Sequence, residues 1–282
     1  MICLSNRAVR LLIALVFFFA LPLISSCATA PDPNNPEAIA EYTQINDPLE
    51  PTNRVIFALN RAIDAAILKP LAKLYRDYTP KFFQDAIGNA LANLRTPVVL
   101  ANDVLQGEGK RARTTLARFA VNSTVGLGGI VDVASEMGLP RHAEDFGQTL
   151  AVWGVPEGPY LMLPLFGPSN PRDLVGLVAD FVADPINWYA GNTGQEFITY
   201  SRTGATGVDA RATYMKELDD LERASLDYYA AIRSLYRQRR ADEIRNGRGS
   251  SNTPSPGISG LPVPVGSAPE ISEALAFEPK ID

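Results

Sequence analysis

The stretch Glu144–Asp173, EDFGQTLAVWGVPEGPYLMLPLFGPSNPRD, decides how the rest of the chain is read, because its most apolar part cannot form a regular helix. Pro156, Pro159, Pro164, Pro168 and Pro171 each lack a backbone donor. Gly147, Gly154, Gly158 and Gly167 permit turns closed to other residues. Between them, Tyr160 to Phe166 is almost purely hydrophobic. Irregular backbone in contact with lipid would leave N–H and C=O groups unpaired, so such a segment belongs inside protein or along a cavity. The expectation is a pore wall or a buried plug, with a buried loop of an ordinary core as the alternative.

The flanks make the ordinary core the poorer alternative. Arg7 and Arg10 precede an apolar run from Leu11 to Ile24, followed by Ser25, Ser26 and Cys27, which reads as a bacterial secretion signal over residues 1–26. As a helix the run reaches about 21 Å, short of a hydrocarbon core of about 30 Å. Ile24-Ser25-Ser26-Cys27 has the form of a lipobox, in which the cysteine is acylated and becomes the new N-terminus. The only other cysteine, Cys3, leaves with the signal, so Cys27 has no disulfide partner and acylation removes a lone thiol. Several acyl chains on Cys27 give stable membrane anchoring. In the lipoproteins that this segment resembles, an aspartate after the cysteine retains the protein at the inner membrane, so Ala28 implies the outer one. Residues 27–46 are polar and rich in proline and asparagine and read as a flexible tether, while residues 246–282, rich in Gly, Ser and Pro, read as a disordered tail.

Residues 47–245 form the body, and its apolar spacing is helical. Ile56, Leu59, Ile63 and Ile67 mark one face of a helix from about Asn53 to Leu68, with a break or kink expected at Lys69 before Pro70. Lys69, Lys73 and Arg76 then form a basic side, either a solvated surface or a surface for anionic head groups. Phe83, Ile87, Leu91 and Leu94 predict a helix ending before Pro97, and Val98–Leu105 a separate short one. Arg111–Asn122 reads as a helix with Leu116 and Phe119 inward. Leu174–Ala183 reads as an apolar helix stopped at Asp184-Pro185, with Trp188 and Tyr189 suited to a membrane interface. Val208 to about Ile244 reads as one long helix, acidic early and basic late in keeping with its dipole. No convincing alternating strand pattern appears, so the fold class is all-α.

Several chemistries are disfavoured. Gly126, Gly128 and Gly129 lack the strand and spacing of a nucleotide loop and suit close helix packing. His142 is the only histidine; with Glu144 and Asp145 it falls short of a usual metal set, and it reads as a surface or capping residue. No G-x-S-x-G elbow exists, and Ser169 is flanked by prolines in a different pattern. Arg172 is a candidate for a phosphate, although pairing with a carboxylate is the commoner fate. A formal net charge of −5 with no dominant basic run argues against nucleic acid. No catalytic residue, metal or cofactor is expected, apart from the acyl lipid on Cys27.

Separated motifs then fall into a recognisable order. Asp47-Pro48-Leu49-Glu50 with Asn53-Arg54, Arg118-Phe119 with Asn122, Gly126 to Ala134, Phe146-Gly147-Gln148-Thr149-Leu150, Gly158-Pro159-Tyr160 leading to Leu163-Pro164, and Arg172-Asp173 together resemble the MlaA (VacJ) family of outer-membrane lipoproteins. Thr52 and the tail depart from that pattern. The resemblance implies a ring of amphipathic helices around a central channel, lying in the inner leaflet of the outer membrane. It implies removal of mislocalised phospholipid from the outer leaflet and delivery to a periplasmic carrier that serves an inner-membrane ABC transporter. It also implies a trimeric porin as membrane partner. On that reading Trp153, Tyr160, Leu161, Leu163, Leu165 and Phe166 line the channel, and Gly154, Gly158 and Gly167 allow a bend or gate. A phospholipase using Ser169 or His142, and a structural lipoprotein that organises porins, are the alternatives.

Overall fold

The computed structural model describes residues 45–246. The signal, Cys27, all but the last two residues of the expected tether and all but the first of the expected tail lie outside them. Ile45 and Asn46 do not behave as tether: Arg237 donates to the Ile45 carbonyl at 2.9 Å, and the Asn46 amide donates to Gly158 O at 2.7 Å.

The elements, in chain order, are α1 (Glu50–Ile63), a π-helical turn (Asp64–Leu68), α2 (Lys69–Tyr78), α3 (Lys81–Leu105), α4 (Gly109–Thr124), α5 (Val133–Glu136), α6 (Phe146–Val152), β1 (Leu161–Leu163), β2 (Gly167–Ser169), α7 (Pro171–Ala183), α8 (Pro185–Thr193), α9 (Glu196–Thr213), α10 (Met215–Ala224) and α11 (Tyr228–Ile244). The fold is helical as expected, with one exception. Inside the organising stretch β1 and β2 form an antiparallel hairpin, Leu161 facing Ser169 and Leu163 facing Gly167.

Three boundaries differ from the sequence reading, each for a physical reason. Pro70 does not break the chain at Lys69, which keeps right-handed helical geometry; the preceding turn widens to π spacing instead. Pro97 lies inside α3, which runs unbroken to Leu105. It forfeits one intrahelical bond, a loss tolerated by a helix packed against α4, α9 and α6. The expected long helix is three. Tyr214 separates α9 from α10, and Ser225 adopts extended geometry before Asp227 caps α11 through the Ala230 N–H at 3.2 Å. The acidic and basic runs thus sit on different helices, and ion pairs to other elements use them: Asp219 with Lys69 and Arg211, Arg233 with Asp47 and Glu50.

Contacts from neighbour to neighbour close a circuit. It runs from α1 to β1, β2, α11, α6, α7, α8, α9 and α2, then returns through the π turn to α1. α3 crosses between α6 and α9 and carries α4 on its side. Glycine allows the closest approach: a Cβ on Gly176 of α7 would lie 2.3 Å from the backbone nitrogen of Gly147 in α6. The expectation of close packing also holds at Gly129, whose Cβ would meet Asn93 of α3 at 2.3 Å.

The interior is inverted relative to a water-soluble bundle. Among the described residues the buried set holds eighteen polar or charged side chains and twelve hydrophobic ones, five of which are alanine. Large apolar side chains face outward instead: Phe82, Phe83, Ile87 and Leu94 on α3, and Val175, Leu177, Val178 and Val182 on α7. Leu116 is 53% exposed rather than inward, and Leu59, Ile67, Leu71 and Leu74 also point out. α4 turns Thr115, Arg118 and Asn122 to the inside. No helix among the described residues is long and apolar enough to cross a membrane.

Candidate functional site

The hairpin is the centre of the candidate site, and two asparagines of α1 hold it. Asn53 and Asn60 are seven residues apart, so they share one helix face. The Asn53 amide donates to Tyr160 O at 3.1 Å and its oxygen accepts from Met162 N at 2.9 Å. Asn60 repeats the arrangement on Leu163 O at 2.9 Å and Leu165 N at 2.8 Å. Each side-chain amide offers the donor and acceptor that a third strand would have supplied. Asn53 is itself fixed, donating to Asp47 at 2.8 Å, and Asp47 accepts from Tyr229 at 2.5 Å and Arg233 at 2.7 Å. Asn60 gave no sequence signal beyond its position on the α1 face.

The hairpin divides the expected lining residues. Tyr160 is 3% exposed and packs with Ile56, Met162 and Tyr229, so it is a core residue and not a lining one. Its ring meets Tyr229 and Tyr236 edge to face at 6.1 and 6.0 Å. Leu161 and Leu163 are half-buried. At the turn Leu165 and Phe166 are exposed, and Leu165 holds a left-handed φ of 68°, strained for a branched side chain. Gly154, Gly158 and Gly167 all have φ between 71° and 89°, so the turns expected of them are present. Trp153 is held elsewhere, its indole donating to Leu105 O at 3.1 Å and its ring meeting Phe146 edge to face.

Behind the hairpin lie buried polar clamps. Arg240 of α11 forms a bidentate pair with Asp145, both bonds at 2.7 Å, and reaches Asp173 at 2.7 Å. Burial works against the Asp145 charge, but Arg240 outweighs it and holds the carboxyl at about 2. Arg172 is buried against Asp173 at 3.2 Å and points at Val155 O, so it is not presented to a phosphate. In a second clamp Arg118 grips Asp132 with two bonds at 2.8 Å, and Asn122 adds a third at 2.9 Å. Burial again opposes the charge, while Ser135, Asn122 and Arg118 keep Asp132 at about 2.

His142 is not a surface residue. Its Nε2 lies 3.0 Å from both oxygens of fully buried Asp103 and 3.1 Å from Thr115 Oγ1. Asp103, His142 and Glu144 place one ligand atom each within 4.8 Å of one another. The carboxylates are already engaged, Glu144 by Arg111 and by Gln106 at 2.8 Å, and Asp103 by the Thr115 hydroxyl at 2.5 Å. Ser169, on β2, donates only to the neighbouring Asn170 carbonyl at 3.3 Å. His142 and Ser169 thus belong to different networks, which is not the geometry of a nucleophile and its base.

Comparison with known proteins agrees with this layout. The family model described as MlaA lipoprotein matches residues 45–243. The chain is 32% identical to the Intermembrane phospholipid transport system lipoprotein MlaA of Haemophilus influenzae, over 80% of this chain and 90% of that protein. It is 34% identical to the protein of the same name from Escherichia coli, over 72% and 79% respectively. An uncharacterized protein of Rickettsia felis is 34% identical over 70% and 78%. A solved structure reported as "Structural basis for maintenance of bacterial outer membrane lipid asymmetry" superposes with a TM-score of 0.63 at 34% identity, covering 70% of this chain and 98% of that one.

Proposed function

The chain belongs to the MlaA lipoprotein family, and from that premise we propose that it removes mislocalised phospholipid from the outer leaflet and so maintains outer-membrane lipid asymmetry. Cys27 carries the acyl anchor on the periplasmic side of the outer membrane. The helical circuit encloses an amphipathic channel through which lipid passes to a soluble periplasmic carrier, linked to an inner-membrane ABC transporter. A trimeric porin is the partner in the membrane. No covalent step is involved: binding, orientation and passage are the whole reaction.

The observation that carries this reading is the inverted interior. A helical body that buries eighteen polar or charged side chains and exposes Phe82, Phe83, Val178, Val182, Trp188 and Phe197 is built for an apolar surrounding. Trp188, Tyr189 and Tyr200 are exposed with them, as suits the boundary between tails and head groups. Within this frame Leu165 and Phe166 at the hairpin turn are the surviving lining or gate candidates, with Leu161 and Leu163 beside them.

The test is outer-leaflet phospholipid content in cells lacking the protein, rescued with wild type or with Cys27→Ala. Accumulation that only the acylatable chain reverses is the expected result. An unchanged leaflet in the deletion strain would remove the transport reading and favour a structural role at the porin.

A further inference from the structure

Asn53 and Asn60 fix the hairpin along β1, but its entry depends on other groups. Between α6 and β1 the chain passes through Pro156-Glu157-Gly158-Pro159, where the prolines have no N–H to donate and Gly158 turns the chain at a left-handed φ of 71°. A segment so short of donors has its course set from outside.

Two residues distant in sequence do this. The Asn46 amide donates to Gly158 O at 2.7 Å, and the Asn46 carbonyl accepts from Tyr160 N at 2.9 Å, so one residue holds the chain on both sides of Pro159. Asn46 reaches both from a left-handed φ of 49°, a conformation that asparagine tolerates better than most residues. Arg237 of α11 joins the same parts from the other side. Its Nη1 donates to Ile45 O at 2.9 Å and its Nη2 to Glu157 Oε1 at 3.2 Å. The guanidinium fork thus spans the N-terminal arm and the residue before Gly158 at once.

Close packing does not replace these bonds. Asn46, Glu157, Gly158, Tyr160, Tyr236 and Arg237 stand around a cavity of about 10 Å³, room for about one water molecule. The buried Tyr160 hydroxyl has no hydrogen-bond partner among the described residues. With space left at its base, the hairpin begins where the bonds from Asn46 and Arg237 put it.

We propose that Asn46 and Arg237 are positioning residues of the transport path: by fixing the entry of the hairpin they set where Leu165 and Phe166 at its turn meet lipid. This rests on the lipid-transport reading above. Both act through Tyr160, which leads directly into β1.

The experiment places each full-length variant in cells lacking the native copy and reads outer-leaflet phospholipid at equal lipoprotein abundance. Asn46→Gly keeps the left-handed backbone and its carbonyl and deletes only the amide; Arg237→Ala removes the fork independently. Gln84→Ala, which loses bonds to Arg76 O at 3.1 Å and Thr79 O at 2.6 Å at the α2–α3 turn, is the control for lost bonds away from the hairpin. Outer-leaflet phospholipid should rise towards the level of the deletion strain in Asn46→Gly and Arg237→Ala, rise less in Arg237→Lys, and stay at the wild-type level in Gln84→Ala. In the purified lipoprotein, exchange of the Tyr160 amide should be about fivefold faster in Asn46→Gly, as expected for one lost hydrogen bond, and unchanged in Gln84→Ala. Wild-type asymmetry in both Asn46→Gly and Arg237→Ala would overturn the assignment and leave the transport reading intact. An equal rise in Gln84→Ala would also overturn it, since any lost bond would then suffice. An unchanged leaflet in the deletion strain would overturn both readings.

Discussion

The ends and the middle of the Glu144–Asp173 stretch are held by opposite means. At its ends Glu144, Asp145 and Asp173 are locked to Arg111 and Arg240 in buried ion pairs. In its middle the hairpin turn rests on the Asn60 amide, with Leu165 68% exposed. Polar residues are fixed inside and apolar ones presented outside, the reverse of a water-soluble core. Rigid ends therefore carry a turn free to meet lipid, and changes to the two regions should separate stability from transport.

The largest effect is expected from Arg240→Ala, which leaves Asp145 and Asp173 buried without their cation. A loss of about 3–5 kcal/mol should show as a much lower melting temperature and low abundance in the membrane fraction. Asn53→Ala should cost somewhat less, about 2–3 kcal/mol, because Tyr160 O and Met162 N lose their partner together. Hydrogen exchange at the Met162 amide would report it directly.

Acid separates the regions next. Asp145 and Asp132 are both held at about 2, below the ordinary carboxylate value of 3.8. A depressed folded-state value means stability present above about pH 4 and lost as pH falls towards 2. Each contributes on the order of 2 kcal/mol. Denaturant midpoints of wild type and Asp145→Asn should therefore differ at pH 5 and converge near pH 2.

The turn should respond the other way. Gly167→Val places a branched residue at a φ of 80°, with open space around its Cβ, so the cost is backbone strain of about 1–2 kcal/mol. Outer-leaflet phospholipid should rise while the lipoprotein stays abundant. Normal asymmetry at normal protein level would remove the turn from the transport path. The smallest change in stability, within about 0.5 kcal/mol, is expected for Leu165→Gln, with any defect confined to transport.

Much of this was legible in sequence, and the failures share a cause. The helical class, the helix stop at Asp184, the close contact at Gly129 and the family motifs could be read from spacing and punctuation, whereas Gly128 meets nothing within 4 Å and the helix boundaries around Pro97 and Tyr214 could not be read. Leu116 is expected inward because apolar periodicity marks the face turned from water, yet it is exposed, and Leu59 and Ile67 on the apolar face of α1 and the π turn are exposed with it while Ile56 on that face is buried. The motif residues Asp47, Asn53, Arg118 and Asp173, with Asp145 just before the Phe146 motif, proved to be architectural, holding elements together through buried bonds. Those partners lie roughly a hundred residues away in several cases, and no local pattern predicts them. The hairpin escaped because three-residue strands are too short for alternation to register, and its edge is completed by side chains of a helix.

Outward apolar faces that meet lipid bring tryptophan into contact with acyl chains, and the two tryptophans of the native chain allow that contact to be measured. Trp188 on α8 is 71% exposed, and Trp153 caps α6. The lipoprotein would be reconstituted in vesicles containing phospholipid brominated on the acyl chains, as wild type and as Trp153→Phe, which leaves Trp188 alone. Strong quenching of Trp188 by the brominated chains, with little quenching by aqueous acrylamide, is the expected result. Acrylamide quenching without bromine quenching would place α8 in water and contradict the inverted arrangement.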